Sequence, residues 1–187
     1  FRGDLIIGDY AGLEARLGAH FSGDPLMLDI FRSGQDLYGV LAARAWGGPP
    51  TKETENRDTM KVIWLASQYG ARGDTLAGAM AANGLRGYTA DDADTMLRDM
   101  QSAVSRLFEW REEVIAQAKI DGFVTTLGGR RRHLADINSA QWQLSYKAER
   151  QAVNSLVQGS AADVVRRAML RCRNTFSPTI ARICLQV

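Results

Sequence analysis

The sequence predicts an α/β (α+β), helix-rich fold with a small sheet, and three observations carry that expectation. Apolar runs without helical spacing stand near both ends, DLIIGDY at the start and TIARICLQV at the finish. Segments with apolar residues three and four apart fill most of the chain between them. Two short stretches flank Gly128-Gly129 in FVTTLGGRRRHL, the pattern of a hairpin.

The chain has 187 residues, enough for one sizeable core or one core with a lobe. Its 45% hydrophobic and 24% charged residues favour a folded protein over a disordered one. No apolar run reaches the roughly 18 residues of a membrane span. The first residues do not read as a signal peptide, and Phe1 rather than Met stands first, so a start inside a domain is expected. Two cysteines, Cys172 and Cys184, are too few for a disulfide framework, which suggests a reducing cytoplasm. The net charge of +2 is uninformative, but residues 121–187 carry ten basic and four acidic side chains. That balance suits a polyanion, or equally a solvated surface.

Taken in order, DLIIGDY reads as a buried strand ending at Asp9, and GLEARLGAHF has helical spacing. GDPLMLDIFRSG is a short helix with Asp24 as N-cap, Pro25 in the first turn and Gly34 as stop. QDLYGVLAARAWGG is another helix, capped by Asp36. Gly47 to Glu53 is the clearest break and a subdomain boundary is expected there. A helix follows over 55–68, then a small one closed by Asn83-Gly84. Thr89 opens a long helical stretch with acidic residues in its first turn, as the helix dipole favours. Met96, Met100, Val104, Leu107 and Val114 form its core stripe, and its length implies two helices. The hairpin comes next, then a long helix from Ser145 with a bend expected at Gly159, then a final buried strand.

Four segments bear on chemistry. Asp9, closing a strand, can hold a divalent ion or cap the next helix. In RDTMKVIWLASQYG, Arg57, Lys61, Leu65 and Tyr69 are four apart and drift slowly round the helix, by about 40° per step. Arg offers a fork of donors and Lys a point charge, which suit a polyphosphate. The apolar and aromatic groups beyond them suit a sugar and a base. An ordinary amphipathic helix with a basic edge gives the same pattern. Arg150, Asn154 and Gln158, again four apart, are donors that could meet the acceptors every base pair presents in a duplex minor groove, or face water. Arg130, Arg131 and Arg132 could bind phosphates or be solvated.

In this order the segments resemble family A DNA polymerases of the bacterial polymerase I type. DYAGLEARLGAHFSGD is similar to motif A and RDTMKVIWLASQYG to motif B, the fingers helix. FVTTLGGRRRHL and AERQAVNSLVQGSAAD are similar to the following fingers hairpin and palm helix. The resemblance implies a palm with a small, mainly antiparallel sheet (1–46 and 140–187) and an inserted helical fingers subdomain (47–139, with motif B at 55–68 and the hairpin at 123–133). It implies templated transfer of dNTPs to a primer 3′-OH with two Mg²⁺ ions. Asp9 and the Tyr10 carbonyl would be metal ligands, with Asp9 the catalytic carboxylate. Glu14 would be the gate against a ribose 2′-OH. Arg57, Lys61, Leu65, Tyr69 and Tyr38 would contact the dNTP. Arg150, Asn154, Gln158, Arg130 and Arg131 would contact primer–template DNA.

Three positions depart from the family pattern. Gly12 stands where Gln is frequent, Tyr38 where a phosphate-contacting His is, and Leu65 where an aromatic residue is usual. The last is similar to some phage polymerases and suggests a viral or metagenomic origin. ICLQV resembles the strand that leads into the second metal-binding Asp of motif C, which these residues do not include. The chain alone is therefore expected not to polymerise DNA. The expected partners are DNA and dNTPs, without a membrane, for a monomer in a bacterial or virus-infected cytoplasm. The alternatives are a non-catalytic DNA-binding module and a relative of single-subunit RNA polymerases. Glu14 speaks against the latter.

Overall fold

Local signals place most helix ends. The computed structural model describes residues 8–52, 55–68 and 70–176. Helix α1 (Leu13–Ser22) starts at Gly12 in the left-handed region and stops at Gly23, also left-handed. In α2 (Pro25–Arg32) the buried Asp24 caps the start, accepting a hydrogen bond from the Met27 N–H at 3.0 Å. Asp36 caps α3 (Leu37–Trp46) in the same way, accepting from the Gly39 N–H at 2.9 Å. Such caps satisfy N–H groups that have no partner within the helix.

Helix α4 (Glu55–Gln68) has the bounds its sequence predicts. Helices α5 (Gly73–Ala82) and α6 (Ala90–Ala103) follow, the latter opened by a capping box between Thr89 and Asp92. The long helical stretch breaks at Val104, which is fully buried at φ −122°, ψ 45°, before α7 (Ser105–Asp121). Strands β1 (Phe123–Thr125) and β2 (Arg131–His133) pair antiparallel, with Val124 opposite Arg132. Helix α8 (Trp142–Thr175) runs 34 residues.

The bend expected at Gly159 does not interrupt α8. The glycine serves a close approach. A Cβ there would lie 2.6 Å from the Thr126 Cγ2 of the hairpin. The strands expected at both ends of the chain fall outside the described residues, apart from Gly8, Asp9 and Tyr10. Those three are exposed and belong to no regular element. The antiparallel hairpin is the only sheet among the described residues.

One main core joins α1 to α7 with Val153 of α8. The loop after α3 does not separate two cores, because Leu41 and Ala42 share a cluster with Met60 and Ile63 of α4. The α3 backbone lies so close to that loop that a Cβ at Gly39 would sit 2.8 Å from the Thr51 carbonyl oxygen. The stripe along α6 and α7 is core as expected: Met100, Val104 and Leu107 are buried, with Met96 and Val114 packed against the cluster. A second cluster, including Ala118, Val124, Leu134 and Ala148, fixes the hairpin between α7 and α8. Each fully buried Leu, Met or Val contributes about 1.5–3 kcal/mol, so these clusters hold the helices around the cleft described next.

Candidate functional site

A cleft of about 290 Å³ opens where α1, α3, α4, α7 and α8 converge. It is lined by Tyr10, Glu14, Tyr38, Leu65, Asn154 and Gln158, which four separate sequence segments supply. Each reaches it for a local reason. On α1, Ala15, Gly18 and Ala19 pack inward, leaving Glu14 on the open side. On α4, Met60, Ile63 and Trp64 are buried, so Lys61 and Leu65 are exposed. On α8, Val153 is buried beside Asn154.

The predicted row along α4 divides. Leu65 lines the cleft and Lys61, one turn earlier, is exposed outside its lining. Arg57 leans toward α3, donating from Nε to Asp36 Oδ1 at 3.0 Å and from Nη2 to Asp36 Oδ2 at 3.3 Å. Its Nη1 donates to Asp58 at 3.0 Å. Its guanidinium carbon lies 5.5 Å from the centre of the Tyr38 ring, and Tyr38 reaches into the cleft. Tyr69 falls outside the described residues.

Charge here follows burial and pairing. Burial opposes ionisation of Asp36, but hydrogen bonds from Arg57 and the Gly39 N–H outweigh it and hold the carboxyl below its usual value. The hydrogen bond to Asp36 raises Arg57 in turn. Burial, then the Asp36 charge, pushes the Tyr38 phenol up, so it stays a neutral donor and acceptor.

Asp9 is exposed beside Tyr10 and does not cap α1, whose N-cap is Gly12. Gly12 has φ 63°, ψ 35°, and a side chain there, such as the Gln frequent in the resembling family, would be strained although nothing crowds it. Arg16 donates to the Ala11 carbonyl at 3.0 Å and stacks over Phe31. Among the described residues no three His, Cys, Asp or Glu side chains gather as a ready-made metal centre. Mg²⁺, however, is commonly held by one or two carboxylates together with substrate phosphates and water. A single exposed carboxylate beside the cleft fits that mode.

The remaining candidates lie apart. Arg150 stacks over Tyr146 and lines a second cavity of about 640 Å³, which shares Arg111 and Val153 with the cleft. Arg130 donates from Nε to Asp163 Oδ1 and from Nη2 to the Gly159 carbonyl, both at 2.8 Å. Arg131 is exposed and lies over the Phe123 ring. Reasoning from sequence missed Arg111, which lines both cavities. Its spacing offered a signal: it stands four residues after Leu107, on the buried side of α7.

Comparison with known proteins places this geometry. The family model described as DNA polymerase family A matches residues 2–187. The chain is 33% identical over 190 residues to DNA polymerase I of Mycobacterium bovis, covering 98% of this chain and 20% of that protein. It is 34% identical over 169 residues to DNA polymerase theta of Drosophila melanogaster, covering 89% of this chain and 8% of that one. A solved POL domain of Pol1 from M. smegmatis, in complex with DNA primer-template and dNTP, is similar with TM-score 0.77 and 31% identity, over 87% of this chain and 28% of that one. The chain thus spans about a fifth of the bacterial relative's length. With the match running nearly from end to end, the chain belongs to DNA polymerase family A.

Proposed function

We propose that these residues form the dNTP-binding part of a template-directed DNA polymerase, acting within a longer protein. The observation that carries the reading is the convergence of Tyr10, Glu14, Tyr38, Leu65, Asn154 and Gln158 on one cleft. Its volume lies at the lower edge of ordinary ligand sites, which run from about 300 to 1,000 Å³. That is room for a sugar and part of a base, with the triphosphate extending toward Lys61 and Arg57. The palm would comprise 1–46 and 140–187, and the fingers 47–139.

In the reaction the primer 3′-OH attacks the α-phosphorus and pyrophosphate leaves. Arg57, oriented by Asp36, and Lys61 would hold the phosphates and fix the attack geometry. Glu14 would occupy the space a 2′-OH needs. Tyr69 would stack beside the templating base. Asn154 and Gln158, with Arg150 one turn earlier on α8, would follow the minor groove without reading sequence. Arg130 holds the hairpin to α8, so phosphate contact there would fall chiefly to Arg131. Asp9 and the Tyr10 carbonyl would hold Mg²⁺, which when bound activates the 3′-OH and neutralises the triphosphate. Two ions need more than the single carboxylate of Asp9, so the 187 residues alone are expected not to extend a primer. The place of action would be the cytoplasm of a bacterium or an infected host. No described helix is long and apolar enough to cross a membrane.

Primer extension by the longer protein tests the reading. Asp9→Ala should cut the rate by about a thousandfold or more, because charge stabilisation at the metal site is worth several kcal/mol. A rate near that of the wild type would remove Asp9 from the chemistry. Glu14→Ala should raise ribonucleotide incorporation, and unchanged sugar selectivity would remove the gate.

A further inference from the structure

The C-terminal end of a helix leaves carbonyls without intrahelical partners and carries partial negative charge. Helix α4 has no basic residue in its own last turn. The cation comes instead from α7. Arg111 donates from Nη1 to the Ser67 carbonyl and from Nη2 to the Gln68 carbonyl, both at 3.4 Å. From α8, the Tyr146 hydroxyl donates to the Gly70 carbonyl at 3.3 Å. Burial lowers the pKa of Arg111, the expected cost of desolvating a guanidinium. No carboxylate lies within ion-pair distance of it among the described residues. A half-buried arginine that spends its fork on two successive carbonyls is doing more than filling space. It also forms the wall between the cleft and the larger cavity.

We propose that Arg111 is a positioning residue that anchors the C-terminal end of α4 and so fixes the angle at which Leu65, Lys61 and Arg57 meet the incoming nucleotide. The proposal rests on the cleft being the dNTP site. Arg111 touches no reacting atom in this arrangement. Its effect passes through the helix, as a rigid rod held at one end.

The test uses the longer polymerase, with Arg111→Met, which keeps length and loses the donors, and Arg111→Lys, which keeps charge and loses the fork. Steady-state and active-site titration kinetics should show the dNTP KM raised about tenfold in the Met variant and about threefold in the Lys variant. The affinity for primer–template and kcat per active site should stay near the wild-type values. A purely structural role would lower Tm and the active fraction with KM unchanged, and that result overturns the proposal. Should the Met variant fail to fold, the Lys variant decides alone: a raised KM supports the anchor and an unchanged one defeats it. A wild-type enzyme that incorporates no dNTP overturns the reading of the cleft and the proposal with it. Normal wild-type kinetics with unaffected variants overturn the proposal only.

Discussion

Arg57 and Arg130 each meet an aspartate from a distant segment, and the two joints they make differ in what adjoins them. At the hairpin, Asp163 is surrounded: Arg130 donates to Oδ1 at 2.8 Å, while the Thr126 hydroxyl and the Gly128 N–H donate to Oδ2. Those bonds, that of Thr126 first, hold the Asp163 carboxyl below its usual value against desolvation. A Cβ on Gly128 would meet this carboxylate at 2.5 Å, so packed backbone closes around the carboxylate, while the Arg130 side chain is 47% exposed. Between α3 and α4, Asp36 also accepts a backbone N–H and two donors of one arginine. There, Tyr38 separates the pair from an open cleft, and the exposed Lys61 lies one turn along α4. An Arg–Asp pair therefore does not announce its role. What adjoins it differs: packed backbone in one case, an open cleft of about 290 Å³ in the other.

The largest effect expected from this contrast is kinetic. Arg57→Ala should raise the dNTP KM of the longer enzyme on the order of 10- to 100-fold, the worth of one charge-assisted hydrogen bond to phosphate. Arg130→Ala should leave that KM alone and lower Tm, because its donors tie the hairpin to α8. Equal KM effects from both would break the distinction.

A stability measurement sharpens the same comparison at the closed joint. Gly→Ala inside an exposed helix normally gains about 0.5–1 kcal/mol. Gly78 of α5, where an added Cβ would meet nothing within 4 Å, should follow that rule. Gly159→Ala should do the reverse and lose about 1–3 kcal/mol in urea unfolding, since its Cβ would press on Thr126. A stabilised Gly159→Ala would mean that the hairpin shifts at little cost.

These two glycines also mark how far the sequence could be read. The caps at Asp24 and Asp36, the bounds of α4 and the hairpin were legible because each depends on neighbours within a few residues. The break at Val104 was not, because a buried valine carries no turn signal and only packing sets its backbone. The close approach at Gly159 was not, because the hairpin that presses on it stands 33 residues earlier in the chain. In the site, spacing pointed to Leu65, Asn154 and Gln158, and the family resemblance to Glu14; the four share a cleft. Partner choice was hidden: nothing local pairs Arg57 with Asp36, 21 residues away, or sends Arg111 to the carbonyls of α4, 43 and 44 residues away.

The smallest expected effect tests how much of the open joint is still unfilled. Leu65 is 45% exposed on the cleft side of α4, while its neighbour Trp64, 4% exposed, belongs to the core and shows only an edge to the cleft. An aromatic ring at position 65 would cover more of a sugar than the leucine does. At about 25 cal/mol per Å² of apolar area removed from water, a few tens of Å² change the dNTP KM only about two- to fivefold. Leu65→Phe should lower KM by that factor and ease dideoxynucleotide incorporation. The competing outcome is specific as well. If the ring folds back along Tyr38 and Trp110 on the cleft wall, KM stays unchanged while Tm rises, because the added area is buried without substrate. Only the first outcome makes the exposed face of α4 a substrate surface, since the second needs no ligand at all.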